Sequence, residues 1–405
     1  MTQPRFLQIH TLTSYPGVLL NRDDAGLAKR LPYGGTVRTR VSSQCLKRHW
    51  RTTRDDAWSL DRTGAPLSVR SRQVFEYAIK PTLARRVQPA SEAKIDAAGA
   101  ALSRALYGDK ADVLRYRQAL LLGWREVEYL TDLLAKVVEE AKSPEGAATA
   151  VTALFKEKDG KGNLSAMKQT AGDLAAGLEA ALFGRMVTSD PAANTDAAIH
   201  VAHAFTVHQQ DSETDYFTVV DDLKAQDASE DTGSAGLFDT ELTSGLFYGY
   251  VVVDVPLLVA NLTGAPPERW ADAETERALP ARIVEHLLHL VATVSPGAKK
   301  GSTAPYAWTQ TMLVEVGSRQ PRTLASAFEQ AVRATKTRSL SDVAEEALFG
   351  RLAAFDRAYG AREVRAFLSV AGTDHASARG PLPLDDLATW VATCVADARI
   401  PEAHG

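Results

Sequence analysis

The sequence predicts an α+β domain that carries an all-helical insertion and a projecting hairpin. Three observations lead there. Residues 36–42 alternate as a strand does, and strand-like runs return at Leu246–Val255 and Thr311–Val316 on either side of an amphipathic helix through Ile283, Leu287 and Leu290. Between them, residues 82–182 follow a helical period, with Val127, Leu130, Leu134, Val137 and Val138 on one face and breaks near Pro89, Pro144 and Asp159-Gly160. Strands separated by helices, with helices inserted, is the pattern of an α+β fold with decorations.

In chain order, Phe6–Leu12 reads as a strand, followed by a polar loop through Asn21-Arg22-Asp23-Asp24 and a Gly34-Gly35 turn. Val37, Thr39 and Val41 are expected on one face of the next strand, with Arg38, Arg40 and Ser42 on the other. Ser43 reads as the N-cap of a helix whose Leu46 and Trp50 share an apolar face, opposite Lys47, Arg48, Arg51 and Arg54. Strand-like runs are expected at Arg185–Thr188 and Ala197–Val207, and a helix at Arg322–Ala334. Tyr216–Val220, inside an acidic polar stretch, reads as one arm of a hairpin.

At 405 residues with 45% hydrophobic and 24% charged residues, the chain has the composition of an ordinary globular protein. Its two cysteines, Cys45 and Cys394, form no CxxC pair, so neither a zinc finger nor a disulfide framework is expected. The opening MTQPRFLQIH lacks a basic segment followed by an apolar stretch, and no apolar run is long enough to span a bilayer. A cytoplasmic, membrane-free location is the expectation.

A net charge of −4 hides a strong asymmetry. Residues 1–54 carry ten Lys and Arg against Asp23 and Asp24, a local charge of +8, whereas 209–241 carries ten acids against Lys224, a local charge of −9. The basic end suits a polyanion. Orphan amides at the Ser42-Ser43 turn, beside Lys47, Arg48 and Arg51, would take phosphate oxygens without reading bases, and Lys29, Arg30, Arg38 and Arg40 would extend that surface. Lys299 and Lys300 after Pro296-Gly297 are further phosphate candidates. Tyr216 and Phe217 stand where little local core exists, which suits a wedge between bases or one aromatic anchoring the hairpin.

Catalytic and metal signals are sparse. His200/His203 and His286/His289 are spaced i, i+3 rather than the i, i+4 of a helical zinc site, and no P-loop or nucleophile elbow occurs. Asp23 and Asp24, in the loop after the first strand, are paired carboxylates of the kind that can hold Mg²⁺ beside a phosphate, the rival reading being a metal-dependent endoribonuclease. No cofactor, resident metal or catalytic residue is expected.

The run Leu20-Asn21-Arg22-Asp23-Asp24, then Gly34-Gly35, then Arg40-Val41-Ser42-Ser43-Gln44-Cys45-Leu46-Lys47-Arg48 resembles the N-terminal signature of CasC-type backbone proteins of the type I-E CRISPR Cascade complex. The likeness continues in Leu182–Ser189, His203–Thr206, Asp215–Asp222, Ser244–Tyr248 and Pro296–Lys299. It implies a ferredoxin-like, RRM-like palm (residues 1–81, 183–208 and 242–405), a large helical fingers insertion (82–182) and a thumb hairpin (209–241). It further implies several copies head to tail on one crRNA, kinking it at regular intervals and presenting it to a target DNA strand. The other partners implied are the large, small, crRNA-processing and 5′-end capping subunits. The RNA-binding residues implied are Asn21, Arg22, Arg40, Ser42, Ser43, Gln44, Lys47, Arg48, Arg51, Met186, Tyr216, Phe217, Thr218, Lys299 and Lys300, with Met186 against a displaced base. The acidic thumb is expected to face a basic surface of the next copy. The acidic 227–236 insert and the tail beyond Tyr359 depart from the family pattern.

Overall fold

The computed structural model describes residues 3–54, 56–87, 92–108, 111–155, 174–187, 191–220 and 234–400, with the side chains of 218–220 and 234–238 outside that description. Asp221, Asp222 and residues 227–233 of the acidic insert therefore lie outside the described residues, as do Thr188 and Ser189. The described strands are β1 (Phe6–Val18), β2 (Arg30–Tyr33), β3 (Thr36–Val41), β4 (Ser68–Ser71), β5 (Leu120–Gly123), β6 (Ile199–Val201), β7 (Ala204–Thr206), β8 (Asp211–Val220), β9 (Ser234–Asp254), β10 (Thr311–Gly317) and β11 (Val364–Ser369). The chain divides into two compact units, one built from 1–59, 201–253 and 281–405, the other from 60–200 and 254–280.

The first unit is a sheet in the order β11-β10-β1-β9-β7-β3-β2, with β8 pairing β9. The pairs whose register is defined along this path are antiparallel, as in β1 against β10 from Phe6↔Gly317 to Leu12↔Thr311. Alternation sends successive side chains to opposite faces. Leu246 and Tyr248 join Leu12, Phe205 and Phe367 under the Leu340–Tyr359 helix, while Phe247 joins Tyr15, Val18 and Val41 on the other face. The fold is thus a mixed α+β fold built on an antiparallel sheet.

The helix expected at Arg322–Ala334 is only a 3-10 turn at Ala325–Phe328. Its backbone groups are taken elsewhere. The Arg322 amide donates to Gln8 Oε1, the Val332 amide to the Val207 carbonyl, and the Phe328 and Glu329 carbonyls accept from Arg38. Arg322 is also drawn to Glu315, a fully buried carboxylate that takes His10 Nε2 at 3.1 Å, Arg322 at 2.5 and 2.8 Å and Arg365 Nε at 2.8 Å. These donors hold its carboxyl far below the usual carboxylate range.

β3 departs from its expected faces. Val37 is 46% exposed, whereas Arg38 is fully buried. Its guanidinium donates to the carbonyls of Tyr33, Thr206, Phe328 and Glu329 at 3.0–3.3 Å. Arg38 therefore belongs to the core rather than to the phosphate surface.

The second unit is largely helical, with helices Lys80–Arg86, Glu92–Tyr107, Trp124–Glu140 and Pro144–Leu154 around Leu83, Leu102, Leu130, Leu134, Val138 and Val151. Inside the run expected to be all helix, Leu120–Gly123 pairs as β5 with β4. Arg185 makes a single bridge with Thr195, and its guanidinium is buried against both carboxylate oxygens of Glu126 at 2.6 and 2.7 Å and the Ala193 carbonyl. The run Ala197–Val207 is broken into β6 and β7. No helix among the described residues is long and apolar enough to cross a membrane.

Candidate nucleic-acid interface

The candidate interface grows from the junction of β3 with helix α1 (Ser43–Thr52). Ser42, not Ser43, is the N-cap: it is extended (φ −70°, ψ 148°) and its Oγ accepts the Cys45 amide at 3.3 Å. A one-residue shift in the cap places Ser43 inside the first turn, buried, with its hydroxyl on Gln44 Oε1. A helix N-terminus offers amides that have no intrahelical acceptor. Here the Ser42 amide is held by Asn21 Oδ1 at 2.9 Å and that of Cys45 by the cap, which leaves those of Ser43 and Gln44 for an outside oxygen.

Asn21 therefore positions the site. Its carbonyl also accepts the Lys29 amide at 2.9 Å, closing the 21–29 loop. Inside that loop, Asp23 Oδ1 accepts the amides of Ala25 and Leu27 at 3.0 and 2.9 Å. A carboxylate committed to its own turn is a poor start for a metal site. Among the described residues no group of three or more His, Cys, Asp and Glu is placed to hold a metal ion. Among the histidine pairs, His286 Nδ1 bonds the Trp58 carbonyl at 2.9 Å and His200 Nε2 the Ala197 carbonyl at 3.0 Å.

One turn along α1, His49 ties the helix to the loop after Val294. Its Nδ1 lies 2.8 Å from the Cys45 carbonyl and its Nε2 accepts the Gly297 amide at 3.3 Å, while the Ala298 amide donates to the Leu19 carbonyl. Burial and the cations Lys300 and Arg48 push the imidazole below its ordinary 6.5, and the Nε2 that accepts the Gly297 amide carries no proton in this arrangement. The 20–26 loop, Cys45, His49 and Gly297-Ala298 thus frame an open cleft of about 500 Å³. Sequence reasoning missed His49; its signal was the i, i+4 step from Cys45.

Cations surround this cleft. Arg48 and Lys29 act on the Cys45 thiol, Lys300 and Arg48 on His49, and Arg40 and Lys29 on His203. Arg48 is exposed, Lys47 and Arg51 are half-buried, and Arg22 is exposed on the rim. Arg40 is held by the Arg30 carbonyl and His203 Nδ1, both at 3.0 Å. Arg30 is neutralised by buried Glu241, which also accepts the Ala28 amide at 2.7 Å. So the structure brings Asn21, Arg22, Ser42, Ser43, Gln44, Arg48 and Lys300 together, and withdraws Arg38 and Arg30 into other contacts.

The hairpin is joined to the same region through Lys299. Residue 299 takes the left-handed conformation (φ 51°), and its Nζ bonds Thr240 Oγ1 on β9 and lies 5.6 Å from the Phe217 ring centre. Lys299 thus braces the hairpin. Tyr216 faces Asp239 and Phe217 faces Phe238 across the β8–β9 ladder, 66% and 42% exposed. Successive residues on one strand point to opposite sides, so the two aromatics have separate surroundings. Thr218 is described only in its backbone pairing with Leu237. Met186, 64% exposed, belongs to the second unit.

Residues 7–391 match the family described as CT1975-like protein. None of the curated proteins compared matches the chain. Among solved structures, a chain described as "CRISPR RNA-guided surveillance complex, pre-nicking" is 25% identical with a TM-score of 0.72, the match covering 96% of this chain and 100% of that one. Another, described as "CRISPR RNA-guided surveillance complex", is 22% identical with a TM-score of 0.54, covering 96% and 98%.

Proposed function

From the premise that the chain belongs to the CT1975-like protein family, we propose that it is the backbone subunit of a CRISPR RNA-guided surveillance complex, a scaffold rather than an enzyme. Several copies line up head to tail on one crRNA and hold it open for pairing with a target DNA strand. The observation that carries this reading is the α1 N-terminus: the amides of Ser43 and Gln44, with no acceptor among the described residues, beside Arg22, Lys29, Arg48 and Lys300. Amides and point charges grip a phosphodiester whatever its sequence, and a subunit that serves any guide must leave base reading to the duplex.

In this reading, residues 1–81, 183–208 and 242–405 form the RRM-like palm, 82–182 the fingers and 209–241 the thumb. The β8 arm of the hairpin carries Tyr216 and Phe217 to the strand. Of the two, Tyr216 is the wedge, since Phe217 is engaged by Lys299. Met186 meets the displaced base, Arg40, Lys47 and Arg51 extend the phosphate track, and the large, small, processing and capping subunits complete the particle.

The test is binding of guide-length RNA against salt. A phosphate-gripping subunit loses affinity steeply and log-linearly with salt, regardless of RNA sequence. An affinity that follows sequence and ignores salt would rule the reading out.

A further inference from the structure

A second surface lies away from the cation-lined cleft, in the first unit. Trp58, Trp308, Leu368, Val370, Leu382 and Leu384 line an open groove of about 950 Å³, at the top of the range of roughly 300–1,000 Å³ that ligand pockets span. Its lip is unusually apolar for a surface: Trp308 is 76% and Val370 75% exposed. Ala307, between Trp308 and Tyr306, is pinned by Ser295 Oγ, which bonds both its amide and its carbonyl at 2.9 Å. Trp308 stands exposed beside this pinned residue.

The groove is floored by a buried histidine and rimmed by carboxylates. His289 lines it at 2% exposure, stacked on Trp58 with ring centres 3.6 Å apart, and its Nε2 has no hydrogen-bond partner among the described residues. The carboxylate of Asp385 stands 3.7 Å from that nitrogen with its side chain 85% exposed, and Asp56 lies on the same rim. Carboxylates at the rim repel a phosphate backbone. They favour a protein segment that is apolar, aromatic and basic.

The chain carries such a segment in its second unit. Residues 112–116 are all exposed, and the 3-10 turn Leu114–Tyr116 buries none of its residues. Val113, Leu114 and Tyr116 are 43%, 44% and 56% exposed, with Arg115 lying over the Tyr116 ring at 4.7 Å. Arg117 fixes the turn from behind, bonding the carbonyls of Ala111 and Arg72 and the carboxylate of Glu76 at 2.6–3.0 Å.

We infer that the Val113–Tyr116 turn of one copy seats in the Trp58–Trp308 groove of the next, with Leu114 and Tyr116 against Trp308 and Val370, and Arg115 facing Asp385. Knob and groove are different patches of one chain, so the contact is heterologous and repeats from copy to copy. This inference rests on the backbone reading above.

The test uses the whole particle, assembled with its guide RNA and the other subunits from a Leu114→Cys/Val370→Cys chain and then oxidised. A disulfide requires Cα atoms within roughly 7 Å, so only a seated knob crosslinks. The expected result is a ladder of covalently linked copies that neither single variant gives. A second arm reverses charge: Arg115→Glu lowers particle yield, and adding Asp385→Arg restores it. An RNA-loaded particle of normal size without a ladder, a crosslink from position 370 to a different subunit, or failure of the charge swap overturns the inference and leaves the backbone reading intact. Failure of the unmodified chain to assemble on RNA overturns both.

Discussion

Gly34 sits against Glu329: a Cβ at position 34 would lie 1.5 Å from the Glu329 carbonyl oxygen, and the backbone there has φ +60°. Its neighbour Gly35, at φ +77°, has open space where a Cβ would be. The Gly34-Gly35 turn is thus two different constraints. Gly35→Ala costs the left-handed backbone alone, about 1–2 kcal/mol, whereas Gly34→Ala must also displace the 325–329 segment. Urea denaturation should rank Gly34→Ala as much the worse. Equal losses would remove the proposed role of Glu329.

Arg38 and Arg48 should separate cleanly. Arg38→Ala leaves buried carbonyls without a charged donor and should cost about 3 kcal/mol or more of stability, with the affinity of the folded fraction for RNA unchanged. Arg48→Ala should leave the melting temperature nearly unaltered and weaken RNA binding. Loss of RNA affinity in fully folded Arg38→Ala protein would return Arg38 to the phosphate surface.

Removing one phosphate contact from a single strand should flatten the log affinity against log salt line by about 0.7. Arg48→Ala and Lys300→Ala should each do this for RNAs of unrelated sequence. An unchanged slope in both would mean that neither cation meets a phosphate.

The neutral His49 gives the protein a pH dependence of definite sign. Its pKa is lowered below 6.5 in the folded state by burial, so below that pH the unfolded chain binds the extra proton first. The stability it contributes is complete above the ordinary value and lost as pH falls. His10, His203, His208 and His289 are shifted the same way. The melting temperature should fall from neutral pH to about pH 5.5, and His49→Gln should shrink that fall. A melting temperature that rises on acidification would contradict the assignment.

Asp23→Asn keeps an oxygen to accept the Ala25 and Leu27 amides, so it should fold and assemble as the unmodified chain does. Asp23→Ala loses both bonds and should cost about 1–2 kcal/mol. Guide RNA should stay intact with Mg²⁺ in all three. Fragments that vanish with EDTA or with Asp23→Asn would reinstate the endoribonuclease.

The parts legible in the sequence are those decided locally. The segment through Trp50 announces a helix with one apolar face because periodicity needs only near neighbours, while its cap, expected at Ser43, falls one residue earlier at Ser42. The β10 strand and the helix through Ile283 were readable for the same reason. What failed was decided at long range. Arg38 looks like an outward strand residue until the 325–329 carbonyls, some 290 positions away, cover it. Arg322–Ala334 has a helical period, yet its backbone bonds go to the sheet. Leu120–Gly123 is apolar enough for either helix or strand, and only its partner β4 decides. At the site, the charge asymmetry located the cations, but not which of them a carboxylate neutralises: nothing near Arg30 in sequence points to Glu241.

The central claim is that this chain grips guide RNA as a repeated scaffold. The direct measurement is to express it with a CRISPR array and the remaining subunits, purify through it, and determine the size of the bound RNA and the number of copies in the particle. The account predicts discrete array-derived RNA under several copies, lost when Lys29, Arg48 and Lys300 are changed to Glu. A particle of fixed size that carries no RNA would contradict it.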